Sequence, residues 1–341
     1  MTSTGMISTD MAPKRLWLAL VLLSALWPWQ AGAQGAADAD AASYPNRPIR
    51  IIVPFPAGGP SDVLARIIGQ KLSEDWKQPV LVENRVGANT VIGAQVVATA
   101  PGDGYTLLMA IDSTLTMNQF LYKSLPYDPI RDFVPVTVVG KTVVLLMVNA
   151  ASEIKSVGDL IAKEKAEPGK LNYGAGTITT QLTGFLLNKA AGTQAQLVRY
   201  NGSAQVTQGL LTNSVQYVLD GPSAAASLIA DGRFRVLAKF DGRPFPPAPD
   251  APQISQIAGL SNFDEVTVWL GLVAPKGTPQ PIADKLSRKI AETLADPAIK
   301  QKADAAGLYP STSTPAEFAA FIRKEAERWA PVVKETGIQY D

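Results

Sequence analysis

The segment Ile51-Ile52-Val53-Pro54-Phe55-Pro56-Ala57-Gly58-Gly59-Pro60-Ser61-Asp62 constrains the fold more than any other part of the chain. An apolar, β-branched run ends in a Pro- and Gly-rich loop, and a helix-start signal follows at once. Such a loop leaves backbone N–H groups free, and the helix dipole makes the helix N-terminus a ready anion site. The two glycines let a ligand approach the backbone closely. This chemistry suits a carboxylate better than it suits catalysis. On spacing alone, an ordinary strand-to-helix turn explains the segment equally well.

Strand and helix patterns then alternate, which predicts an α/β architecture. Residues 49–54 read as a buried strand and 61–76 as a helix with Leu64, Ile67, Ile68 and Leu72 on one face. Short strands are expected at 79–83 and 105–110, a helix between them at 88–100, and a polar loop at 111–118. Residues 135–149 form a long β-branched run without helical period, long enough to pass between two domains. Residues 266–274 form a second such run, placed to return. Helix starts are expected at Ser156-Val157-Gly158-Asp159, at Thr278-Pro279 and at Thr314-Pro315-Ala316-Glu317. Two crossing strands with an inserted central portion predict two α/β lobes around a cleft. Three loops fit the carboxyl ends of strands, where such sheets bind ligands: residues 55–61, 174–180 and 221–223. They supply Gly, Ser and Thr donors and almost no cation.

Composition narrows the chemistry. There is no cysteine and no histidine. Disulfides, thiolate zinc sites, a cysteine nucleophile and a Ser-His-Asp triad are therefore excluded. The commonest general base is missing as well. Lys14 and Arg15 precede an apolar run that ends near Ala31-Gly32-Ala33, the pattern of a secretory leader over residues 1–33. Residues 34–43 read as a flexible mature N-terminus. The formal net charge is +1, and loss of the leader removes Lys14, Arg15 and Asp10, which balances the two signs. No electrostatic footprint for nucleic acid or an acidic membrane remains.

The segments "YPNRPIRIIVPFPAGGPSDVLARIIGQKL", "QPVLVENRVGANTVIGAQVVA", "PGDGYTLLMA", "LPYDPIRDFVPV" and "TPAEFAAFIRKE" resemble the Bug family of periplasmic solute-binding proteins, the receptors of tripartite tricarboxylate transporters. The resemblance covers residues 44–338. It implies a type II periplasmic-binding-protein fold, with lobe one from residues 44–140 and 268–341 and lobe two from 141–267. It also implies closure around a small carboxylate, and the two long crossing strands place the expected hinges near 138–142 and 266–269. In that family two loops, one per lobe, hold a ligand carboxylate. Carried over, the first is Phe55, Pro56, Ala57, Gly58, Gly59 and Asp62, and the second Gly176, Thr177, Thr179 and Thr180. Asp220 matches an aspartate at the end of a central strand, with Ser223 in the turn beyond it. Ser113 and Thr114, in the loop after the third strand, line the other side.

The chain departs from the family pattern in three places. Thr180-Gln181-Leu182 replaces a turn ending in His-Leu, Tyr200-Asn201-Gly202 replaces Tyr-Lys-Gly, and Asp112 stands where a neutral residue is usual. Asp62 and Asp220 both have structural readings too. Asp62 in a first helical turn stabilises that helix by roughly 0.3–1 kcal/mol. Asp220 beside Gly-Pro fits a turn or an acceptor for a ligand hydroxyl, amine or protonated acid. The expected protein is a monomeric receptor for an organic acid, delivering to membrane permease subunits. No metal, cofactor, nucleic acid or membrane insertion of the mature chain is expected. A periplasmic sensor partner and, at greater distance, an enzyme on the same scaffold are the other readings.

Overall fold

The computed structural model describes Gly5, residues 42–261, Phe263 and residues 265–341. Apart from Gly5, Ala42 and Ser43, the expected leader and mature N-terminus lie outside these residues.

Residues 45–341 carry two sheets. The first has strand order β11-β4-β10-β3-β1-β2, with β1 Ile49–Val53, β2 Val80–Asn84, β3 Thr106–Ile111, β4 Phe133–Val143, β10 Thr267–Pro275 and β11 Leu308–Pro310. The second has order β7-β6-β8-β5-β9, with β5 Leu145–Asn149, β6 Asn172–Ala175, β7 Gln196–Arg199, β8 Tyr217–Asp220 and β9 Phe234–Lys239. β1, β2 and β3 run parallel, and β10 joins them antiparallel between β3 and β4. In the second sheet β6 runs parallel to β7 and β8, while β5 is antiparallel to β8 and β9. The result is a type II binding-protein fold with an α/β lobe around each sheet. The run at 135–149 breaks at Val144, so β4 and β5 belong to different sheets. β10 brings the chain back.

Four of the five residues of β1 are apolar because both faces are covered: Ile49, Ile51, Ile52 and Val53 are fully buried, while Arg50 pairs with Glu83 of β2 at 2.7 Å. Helix α1, Pro60–Trp76, starts one residue earlier than expected, with Pro60 in its first turn. The expected polar loop at 111–118 is instead two short helices, α3 Asp112–Thr116 and α4 Asn118–Leu121. They follow α2, Val91–Ala98. All of α3 is buried, which local polarity did not foretell; Asp112 Oδ1, Thr114 and Thr116 find partners inside the protein, while Asp112 Oδ2 and Ser113 Oγ have none.

Capping follows the sequence at two starts and departs at a third. Ser156 and Asp159 form a reciprocal box at α5, Val157–Ala166. Helices α6 Ile178–Ala191, α7 Ser203–Leu211 and α8 Ala226–Ala230 follow in the second lobe. Thr278 does not cap α9, Gln280–Ala295; its hydroxyl turns back to the Pro275 carbonyl at 2.8 Å. After α10, Pro297–Ala305, Thr314 and Glu317 box the start of α11, Pro315–Thr336. Loss of that cap, Thr314→Ala, should lower stability by about 1 kcal/mol, read as a lower urea midpoint at unchanged slope. On α11, Phe318 and Trp329 are core residues, and Phe318 meets Trp269 of β10 edge-on at 5.6 Å. Gly271 is required there, since a Cβ would lie 2.2 Å from the Phe318 ring.

Candidate functional site

A cavity lies where the carboxyl ends of β1, β3, β6, β7 and β8 meet. From the first lobe it is lined by Phe55, Pro56, Ala57, Gly59, Pro60, Ser61 and Ile111, with Thr142 and Val268 from the crossing segments. The second lobe supplies Thr177, Thr180, Gly202, Ser203, Ala204, Gln205, Asp220 and Gly221. No lysine or arginine is among these residues. The cavity offers ≈ 40 Å³ of room to water-sized solutes. That is room for a few waters at roughly 10–15 Å³ each. The walls touch: a Cβ on Gly202 would lie 3.3 Å from Pro56 Cδ, and one on Gly221 3.2 Å from Thr142 Oγ1.

Three helix starts converge on the cavity. α1 begins after Gly59 with no side-chain cap, so its first N–H groups are left for other partners. α7 begins after Gly202, again with no side-chain cap. α6 differs: Thr177 and Thr180 cap each other, the Thr177 hydroxyl accepting from the Thr180 N–H at 3.2 Å while the Thr177 N–H donates to Thr180 Oγ1 at 3.1 Å. The open positive ends are therefore one from each lobe, facing across one small space. Together they favour an anion without any side-chain cation.

The loop after β1 is held from behind. Asp62, only 3% exposed, accepts from the Gly58 N–H at 3.0 Å, from Asn84 Nδ2 at 2.9 Å and from Arg66 Nη2 at 2.8 Å. Asn84 Nδ2 also donates to the Phe55 carbonyl at 2.9 Å. Burial acts to raise the Asp62 carboxyl, but the bonds from Arg66, Gly58 and Asn84 outweigh it and hold the carboxyl below its usual range. Asp62 faces the loop rather than the cavity. Gly58, at φ 85°, supplies the left-handed turn that brings its N–H onto Asp62.

Asp220 is the acidic group of the cavity wall. Its Oδ1 accepts from Ser203 Oγ at 3.1 Å and from the Gly221 N–H at 2.9 Å, while Oδ2 is buried without a hydrogen-bond partner. Burial pushes this carboxyl up to about 7, against the lowering effect of those two donors.

Of the residues singled out in the sequence, Phe55, Pro56, Ala57, Gly59, Thr177, Thr180 and Asp220 line the cavity. Gly58, Asp62, Gly176, Thr179, Ser223, Ser113 and Thr114 are not among the lining residues. Thr114 bonds Thr90 at 2.9 Å inside the first lobe, and Thr179 donates to Asp112 at 2.8 Å. Among the turn residues Gly202-Ser203-Ala204-Gln205, the sequence marks only Gly202, in the departure Tyr200-Asn201-Gly202 expected at or near the site, and assigns none of the four to ligand. The turn's local signal, a glycine and a serine opening a helix after a short strand, resembles many surface turns; only the approach of Pro56 makes it a wall.

Two lobes enclosing a small, cation-free anion cradle define a solute-binding protein. A family model described as "Tripartite tricarboxylate transporter family receptor" matches residues 64–338, and the chain belongs to that family. It is 35% identical over 319 residues to protein BugT of Bordetella pertussis, covering 93% of this chain and 97% of BugT. Among solved structures, Rpa4515 of R. palustris with adipate superposes with a TM-score of 0.83 at 32% identity, covering 87% of this chain and 99% of that one. MatC from Rhodopseudomonas palustris with bound malate gives 0.78 at 28% identity, covering 85% of this chain and all (100%) of MatC. The family is one of binding receptors. Among the described residues, no helix is long and apolar enough to cross a membrane, and no cluster of acidic groups could hold a metal ion.

Proposed function

We propose that this protein is a periplasmic receptor, exported through residues 1–33. It captures a small dicarboxylate or related organic acid by lobe closure and delivers it to the permease of a tripartite tricarboxylate transporter. The observation that carries this reading is the pair of uncapped helix starts, α1 and α7, facing one cavity from opposite lobes. One ligand carboxylate sits between residues 55–61 and the turn at 202–205, with Thr177 and Thr180 beside it. Hydrogen bonds to a charged group contribute about 1.5–3 kcal/mol each, and a helix N-terminus adds up to about 2 kcal/mol in a partly buried site. Gly58, Asp62, Gly176, Thr179 and Ser223 shape the walls without touching ligand. A space of ≈ 40 Å³ is too small for a dicarboxylate, so the ligand binds with the lobes further apart than they stand here.

Asp220 serves the far end of the ligand. A second ligand carboxylate beside it raises the Asp220 carboxyl further, so Asp220 holds a proton and donates it through Oδ2. A dianion is thereby bound without a cation. The bound relatives' adipate and malate are both dicarboxylates, which agrees with this reading.

A thermal-shift panel of organic acids that includes adipate and malate tests the function. An acid at 100 times its dissociation constant should add about 2.7 kcal/mol. If no organic acid raises the melting temperature, the receptor reading fails. Calorimetry of the selected acid in two buffers of different ionisation heat, at pH 7.5, should show proton uptake. Asp220→Asn should reduce that uptake; unchanged uptake would remove Asp220 from its role.

A further inference from the structure

The residues that follow α11 are tied to the first lobe. The Tyr340 N–H donates to the Leu121 carbonyl at 2.7 Å, the Lys123 N–H donates back to the Tyr340 carbonyl at 3.1 Å, and Lys123 and Asp341 form an ion pair. The Tyr340 ring rests against that of Tyr122, with centroids 5.2 Å apart. Tyr122 is itself fixed: its hydroxyl donates to the Ala88 carbonyl at 2.8 Å and accepts from Asn89 Nδ2 at 3.2 Å. Two cations of the second lobe reach this segment. The Arg199 guanidinium stands over the Tyr340 ring, 5.3 Å from its centroid, and Lys189 Nζ pairs with Glu335 at 2.6 Å. Lys189 and Glu335 are both about half exposed, so solvent screens that pair.

We infer that Arg199 and Tyr340 are positioning residues, a clasp that holds the Gly202 turn of the second lobe against the first and favours the lobes together. The inference rests on the two-lobe closure proposed above. Neither residue lines the cavity, so the pair acts on closure rather than on ligand. The place of Arg199 in the second sheet gives the clasp its leverage. The chain crosses between lobes at Val144, into β5, and returns from β9 towards β10. The order β7-β6-β8-β5-β9 puts β7, which ends at Arg199, on the edge away from both crossings. Three strand spacings separate β7 from β5, about 14 Å. Rotation of one lobe on the other moves groups beside the crossing strands least and groups at this edge most. The ring and the guanidinium therefore meet only when the lobes are together. Arg199 also lies three residues before Gly202, which faces Pro56 across the cavity. Between them the Tyr200 N–H donates to the Ala175 carbonyl at 3.0 Å and keeps the stretch aligned with the sheet. Holding Arg199 thus holds the turn.

The chain has no cysteine, so spin labels can be placed at will. Glu74→Cys and Lys165→Cys put one label on an exposed position of each lobe. Pulsed dipolar spectroscopy then reads the closed-to-open ratio, first without ligand and then with saturating adipate or malate. Arg199→Ala should lower the ligand-free ratio by about two- to fivefold, the effect of one cation over an exposed ring, with circular dichroism unchanged. Tyr340→Leu should lower it by the same factor. The double variant should fall no further, since either substitution already removes the one contact. Tyr340→Phe keeps the ring and should match the parent. Equal ratios in the parent, Arg199→Ala and Tyr340→Leu proteins, with the acid still shifting the distance, overturn the clasp and leave closure standing. Losses that multiply in the double variant overturn it as well, because the two side chains then act separately. A single distance unmoved by any substitution and by either acid overturns the two-lobe closure beneath it.

Discussion

Replacing Gly202 by valine should weaken binding of the captured acid by at least about 100-fold while the protein still folds. The argument is steric and crosses the cleft. Gly202 of the second lobe faces Pro56 of the first, and a single added Cβ would already sit 3.3 Å from Pro56 Cδ and 3.6 Å from Cγ. Valine adds two further methyl groups to a gap that has no room for one. The first lobe must back away, and the two uncapped helix starts then no longer reach one carboxylate together. Losing two charge-assisted hydrogen bonds costs about 3 kcal/mol or more, which sets the 100-fold figure. Gly202 also has φ 158°, so the substitution strains the turn by about 1–3 kcal/mol. Calorimetry with the acid chosen by the thermal-shift panel, alongside a melting curve, separates the two effects. Undiminished affinity in the valine variant would mean that this approach of the lobes is not the binding form.

The second large effect runs the opposite way. Asp220→Asn should stabilise the ligand-free protein at pH 8 by up to about 4 kcal/mol, from about three pH units at ~1.4 kcal/mol each. The carboxyl titrates near 3.8 when exposed and is raised to about 7 by burial. A raised acid contributes no penalty below its unfolded value. The penalty builds as pH rises and is complete above the folded value. Asparagine keeps an acceptor for Ser203 Oγ and the Gly221 N–H and carries no charge. Urea unfolding at pH 5 and pH 8 should show a smaller gap between the two conditions in the variant. Asp112 retains its own share of the slope. Equal gaps would place Asp220 in contact with water. A buried acid that costs stability in the empty protein and gains its partner only from a ligand is the pattern expected of a binding residue.

The sequence by itself determined the repeating strand–loop–helix units and the Pro- and Gly-rich turn from β1 into α1. β1 declared itself through Ile51-Ile52-Val53, since a strand covered on both faces reads as a run of apolar residues rather than an alternation. Thr314 and Glu317 announced α11 because a capping box is a local contract among four residues. The absence of histidine and cysteine set the limits of the chemistry before any fold was known.

Tertiary structure alone decided the rest. Residues 111–118 are largely polar in sequence, yet they are buried in short helices, where Thr114 and the Asn118 amide N–H find partners on the distant residues Thr90 and Asn89. Asp62 and Asp220 look alike in sequence, each a carboxylate beside a turn. Asp62 meets Arg66, Asn84 and Gly58 and is satisfied; Asp220 meets two donors on one oxygen and leaves the other bare. The wall at Gly202 and the link between Asp112 and Thr179 join residues far apart in the chain. Contacts of that kind arise only when the two lobes meet, and nothing in the local pattern of hydrophobicity, capping or turn chemistry encodes them.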